Sequence, residues 1–200
     1  MKPSDNSLPA GGTTLRAAFE ALVATLNEHG IRYAIIGGLA LMQHTRVRAT
    51  DDVDALVAAP QTALPALLEA LGRRGFEIEL QKNVREFFEG GLTSLRYGNT
   101  LVDLVRPLIP AFSHVLEKAI TVDLFGQKVR VSSAEGLLVM KLMAWRSQDE
   151  ADIRDLLTAY GGKLDLDFVR AELSSFTSPD DPRRERFETL VRQAGNQASK

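Results

Sequence analysis

The chain contains no cysteine, which removes disulfides, thiolate metal sites and cysteine nucleophiles on inventory alone. Its three histidines, His29, His44 and His114, are scattered without ligand spacing. Nowhere do about 18 apolar residues run uninterrupted. The opening MKPSDNSLPAGGTT also lacks the apolar centre of a signal peptide, so the sequence predicts a cytoplasmic address and no membrane span. A formal net charge of -2 gives no overall basic footprint of the kind duplex-DNA binders carry. No internal repeat is visible at any period.

What is present suffices for one well-cored unit, with 44% hydrophobic residues in 200. Residues 1–12 mix Pro, Ser, Asn and Gly without periodicity and predict a disordered tail. From Thr13 or Thr14, apolar residues at Leu15, Phe19, Leu22, Val23 and Leu26 predict an amphipathic helix closed by Gly30. Asp52 to Val57 reads as a short strand, and Leu64, Leu67, Leu68 and Leu71 as a helix. Period-two spacing then predicts strands at Phe76 to Leu80, Val84 to Phe88 and Thr93 to Tyr97. Leu101 to Val105 is the most apolar strand, and a hairpin is expected over Ile120 to Leu124 and Lys128 to Val131. Beyond Ser132 the chain reads as helical, in segments centred on Leu137 to Trp145, Asp149 to Tyr160, Asp165 to Phe176 and Pro182 to Ala194. The division that follows is a core over 13–132 and a C-terminal helical part over 133–195 packed on it.

The stretch Tyr33 to Asp54, YAIIGGLALMQHTRVRATDDVD, organises the rest. A strand breaks at Gly37 and Gly38 and becomes a helix, so exposed backbone N–H groups lie at the turn, where anions bind well. Asp52 and Asp54 then share one face of a strand. Asp103 stands alone among Leu101, Val102, Leu104 and Val105, and an unpaired buried charge is expensive. If the two strands are neighbours, three carboxylates converge and repel, and a divalent metal is the usual remedy. Acid-rich, cysteine-free and histidine-poor ligation suits Mg2+ or Mn2+. Two such ions ~3.5–4 Å apart can activate an attacking hydroxyl and stabilise a leaving phosphate oxygen, so the acids point to phosphoryl transfer. Lys141, a cation on a helix otherwise apolar all round, calls for an anionic partner, a phosphate or an aspartate. Asp149 and Asp152 read as structural partners for Arg146 or Lys141. The G-x-G-x-x-G of dinucleotide-binding folds is absent, and the acid expected about 20 residues after the glycines arrives early and as a pair.

The run IIGGLALMQHTRVRATDDVD resembles the glycine-pair and R-x-T-x-D-h-D signature of the DNA polymerase beta-like nucleotidyltransferase superfamily, closest to its minimal and abortive-infection-toxin-type branches. Arg48, Thr50, Asp52 and Asp54 fall on that pattern, and Asp103 resembles the third carboxylate. SSAEGLLVMKLMAWRSQDEADIRDL resembles a helical segment of those branches, with Lys141, Arg146, Asp149 and Asp152 on its charged positions. The resemblance implies an α/β (α+β) fold, a small mixed β-sheet flanked by helices. It also implies transfer of an NMP from an NTP, with release of pyrophosphate. Asp52, Asp54 and Asp103 would then be catalytic and hold the metal, and Gly37, Gly38, Arg48 and Lys141 would hold the nucleotide. Many members carry Ser or Thr just after the first glycine, where this chain has Gly38, Leu39 and Ala40, so phosphate binding falls to backbone groups and to Arg48 or Lys141. The acceptor classes left open are an RNA 3′ end, a protein hydroxyl and a small hydroxylated molecule. The alternative is a non-catalytic nucleotide-binding or protein-interaction member of the same fold, such as one half of a toxin–antitoxin pair with its cognate partner.

Overall fold

Apolar residues recurring at helical spacing, all fully or nearly fully buried, draw α1 (Gly11–Glu28) against the sheet. A computed structural model of the chain describes residues 11–45 and 50–198. The chain continues through β1 (Arg32–Ile36), α2 (Gly37–Leu41), β2 (Asp52–Ala58) and α3 (Leu64–Arg73). There follow α4 (Leu80–Arg85), a π-helical turn (Glu86–Gly90), β3 (Leu92–Tyr97), β4 (Thr100–Val105), α5 (Pro110–Glu117) and a hairpin of β5 (Ile120–Leu124) and β6 (Gln127–Val131). The C-terminal helices are α6 (Ala134–Ala144), α7 (Asp149–Tyr160), α8 (Leu166–Phe176) and α9 (Pro182–Ala198).

The strands form one six-stranded mixed sheet in the order β3-β4-β2-β1-β6-β5. β2 pairs parallel with β4 and antiparallel with β1, while β6 joins β1 in parallel. One face of its centre, with Val53, Ala55, Val57, Val102 and Leu104, is fully buried. α1 packs on β1, β2 and β4, with α3 beside it. The opposite face stays half-open where Asp54 and Asp103 stand. α6 bounds that opening. It is buried through Leu137, Leu138, Val139 and Leu142 and packs against α2, α5, α7 and α8, and its start is capped by the Ser133 hydroxyl, which accepts from Gly136 N–H.

Two local expectations change. Phe76 to Leu80 contributes a single β-bridge, Glu77 to Arg96, and Val84 to Phe88 is helical rather than extended. Leu80, Val84, Phe87 and Phe88 recur at helical spacing, and Asn83 secures the turn by accepting from Glu79 N–H and donating to Thr93 Oγ1. Residues 106–119, for which periodicity predicts no element, hold α5, where Pro110 starts the helix and Ala111, Val115 and Leu116 are buried. The expected tail over residues 1–12 lies outside the described residues apart from Gly11 and Gly12, which already belong to α1.

Candidate active site

Strand alternation puts Asp52 and Asp54 on one face of β2 and buries Val53 and Ala55 on the other. The parallel β2–β4 ladder sets Asp54 directly opposite Asp103, and Asp52 opposite Leu101. The Asp54 and Asp103 carboxylates thus rise side by side from strands spaced about 4.8 Å apart. The β3–β4 ladder carries the row one strand further and sets Ser94 opposite Asp103. There the Ser94 hydroxyl donates to Asp103 Oδ1 at 2.6 Å. On the other side Ile36 lies opposite Asp54 and leads straight into Gly37. Across four strands the row reads Ile36, Asp54, Asp103, Ser94.

The glycine pair is fitted against the start of β2. Gly37 has φ +62°, and a Cβ there would stand 1.9 Å from Asp54 Oδ2, so backbone and contact both demand glycine. A Cβ on Gly38 would fall 2.5 Å from Thr50 Oγ1. Because α2 spans only five residues, its dipole is slight, and what it offers is the first-turn N–H groups that have no partner within the helix.

Burial first, then repulsion from Asp103 and Asp52, pushes the Asp54 carboxyl up from 3.8 to about 6, against the opposing pull of Arg146 and Lys141. Asp52 is raised as well, by burial and by the charges of Asp103 and Asp51. Among the described residues no three acidic, histidine or cysteine side chains are drawn close enough to enclose a metal ion. Asp103 is turned toward Ser94, and Asp54 lies over Gly37. The donor set itself, acid-only and mutually repelling, fits a hard divalent cation better than any softer metal.

A cleft of about 140 Å³ opens over the row, lined by Gly37, Asp54 and Asp103 on the sheet side and by Met140, Lys141 and Arg146 from α6 and the turn after it. Lys141 is almost fully buried. Its ammonium donates to Asp149 Oδ1 at 2.9 Å and lies 2.6 Å from Asp152 Oδ2, which is off the hydrogen-bonding direction and held by charge. Asp149 and Asp152 thus engage Lys141 from α7. The second Asp149 oxygen accepts from Arg146 N–H at 2.8 Å. That bond is reached because Trp145 takes a left-handed conformation, φ 47°, and ends α6 without a glycine. Asp149 therefore pins the turn from both sides and leaves the exposed Arg146 side chain on the cleft. Among the described residues no salt bridge takes up its guanidinium.

The structure brings together Gly37, Asp54, Asp103 and Lys141 on one cleft, with Gly38 and Asp52 beside it. Arg48 lies outside the described residues. Ser94 and Arg146, to which the sequence alone assigns no site role, also stand at the site. Ser94 becomes legible only with the β3–β4 register, whereas Arg146 had a signal in the charged positions after the buried helix. Among the described residues, the C-terminal helices reach the cleft through α6, the Arg146 turn and Asp149.

A family model described as "Nucleotidyltransferase of unknown function (DUF6036)" matches residues 13–194. The chain belongs to this nucleotidyltransferase family. The family chain is similar in fold to the antibiotic-resistance factor ANT(2'')-Ia in solution, at TM-score 0.56 and 18% identity, with 92% of this chain and 98% of that one covered. A second structure of that factor, in complex with adenylyl-2''-tobramycin, aligns at TM-score 0.47 and 14% identity over 92% and 99% of the two chains. An antigenic nucleotidyltransferase-like protein from Paracoccidioides brasiliensis aligns at 0.45 and 19% over 90% and 88%. The sequence has no match among curated proteins. The expected fold is therefore present, a mixed sheet flanked by helices as in nucleotidyltransferases. No helix among the described residues is long and apolar enough to cross a membrane.

Proposed function

We propose that this protein transfers an NMP from an NTP to a hydroxyl acceptor and releases pyrophosphate. The observation that carries the reading is the register of Asp54 with Asp103, with Asp52 on the same face, beside a glycine turn that abuts Asp54. Mg2+ or Mn2+ held by Asp52, Asp54 and Asp103 would supply the positive charge that activates the acceptor and stabilises the departing phosphate oxygen. The N–H groups at Gly37 and Gly38 bind phosphate oxygens, aided by the Arg146 guanidinium and by Arg48. Lys141, engaged by Asp149 and Asp152, adds positive potential at the cleft and acts mainly by holding the turn that presents Arg146. Asp103 accepts the proton of the incoming hydroxyl. A cleft of about 140 Å³ houses phosphates and not a whole nucleotide, since pockets that enclose drug-sized ligands run to roughly 300–1,000 Å³. Sugar and base therefore extend beyond it, past the exposed Leu92 at its edge.

Pyrophosphate release, followed with each common NTP in Mg2+ or Mn2+ and with a cell extract as acceptor source, tests the reading. Release that needs the divalent ion and disappears in Asp103→Asn is expected. NTP binding without divalent ion that survives loss of all three acids, with no release, would instead make the chain a non-catalytic member of the fold.

A further inference from the structure

The acid row has a direction. The glycine turn closes one end, at the β1 side, and Ser94 closes the other, one strand beyond Asp103. The proposed transfer holds the pyrophosphate leaving group at the glycine end. An in-line displacement then brings its nucleophile from the opposite end. The side chain standing there is Ser94, exposed to solvent, with its hydroxyl donating to Asp103 Oδ1 at 2.6 Å. A hydroxyl within hydrogen-bond reach of a carboxylate base is the arrangement of an activated nucleophile.

We propose that Ser94 is a site of self-nucleotidylation, an internal acceptor that takes the NMP when no other hydroxyl occupies the site. The inference rests on the nucleotidyl-transfer reading. Ser94 Oγ attacks the α-phosphorus of the bound NTP and an Oγ–P bond forms. The bond from the α-phosphorus to the β-phosphate oxygen breaks, and pyrophosphate leaves with its electron pair. The hydroxyl proton passes to Asp103 Oδ1 and on to solvent. The product is a phosphodiester, far more resistant to hydrolysis than a phosphoramidate or acyl phosphate, so it persists as a modification and does not serve as a turnover intermediate. It also removes the hydrogen bond between Ser94 and Asp103 and fills the acceptor end of the row, so modified protein is inactive toward outside acceptors.

The test incubates the full chain with each common α-labelled NTP and Mg2+ or Mn2+, with and without a cell extract, and then measures intact mass and maps labelled peptides. Without extract, one added NMP on the peptide holding Ser94 is expected, together with a decline in later transfer to extract acceptors. The label should fall to background in Ser94→Ala and in Asp54→Asn. Mapping on the unsubstituted protein decides the site even if a variant folds poorly. Label in extract components with none on Ser94 overturns self-modification and leaves nucleotidyl transfer standing. Label on another residue of the chain overturns the assignment to Ser94. No label anywhere overturns both readings.

Discussion

Replacing Asp54 by asparagine should stabilise the metal-free protein while abolishing its chemistry. Asn keeps the shape that lies over Gly37 and removes a charge repelled by Asp103 and Asp52. The folded chain holds Asp54 at about 6 against an ordinary 3.8. A folded-state value above the unfolded one means that the group favours folding fully below the unfolded value and loses that contribution as pH rises through the folded one. At about 1.4 kcal/mol per pH unit, the gap sets a ceiling of about 3 kcal/mol. Because Asp54 is only half-buried, solvent screening lowers this to roughly 1–3 kcal/mol. With about 2–4 °C per kcal/mol for a chain of this size, Asp54→Asn should melt several degrees above wild type at about pH 8 in chelator. The advantage should shrink between about pH 6 and pH 4 and vanish below that. Thermal unfolding by circular dichroism across this range is the assay. A variant less stable than wild type at about pH 8, or equally advantaged at about pH 3.5, would refute the electrostatic reasoning.

Mg2+ or Mn2+ should raise the melting temperature of wild type and not of Asp54→Asn, because an ion that binds only the folded chain adds about 2.7 kcal/mol at a hundredfold excess over its Kd. Equal shifts in the two proteins, measured by the same melts, would place the ion elsewhere. Lys141→Met should cost about 3–5 kcal/mol in urea unfolding, because it leaves two buried aspartates without their cation. Neutralising Asp149 and Asp152 as well should recover much of that loss. Gly37→Ala should cost at least about 1–2 kcal/mol from the left-handed backbone alone. It should also abolish pyrophosphate release by displacing Asp54, and a fully active Gly37→Ala would show that the contact is dispensable.

Most of the frame was legible because its signals were local. The β1 strand, the glycine break, the β2 acids and the start of α6 just beyond Ser132 each follow from periodicity or a cap within a dozen residues. The pairing of Asp54 with Asp103 is legible only as a condition, since strand order is a long-range property that no window contains. The segment of α4 and its π-helical turn reads as extended because Phe76, Ile78 and Leu80 alternate like a strand just before the spacing turns helical. Ser94 carried no signal of its own, and its place beside Asp103 exists only through the β3–β4 register. The engagement of Lys141 by Asp149 and Asp152 was readable as one of two alternatives. The burial of all three decides that much of this cation's charge is already answered within the protein.

The most direct measurement of the central claim is transfer of label from an α-labelled NTP to acceptors in a cell extract, run side by side for wild type, Asp54→Asn and Asp103→Asn. The structure predicts labelled product from wild type only in Mg2+ or Mn2+, and none above background from either variant. Label transferred by Asp54→Asn at the wild-type rate would contradict it.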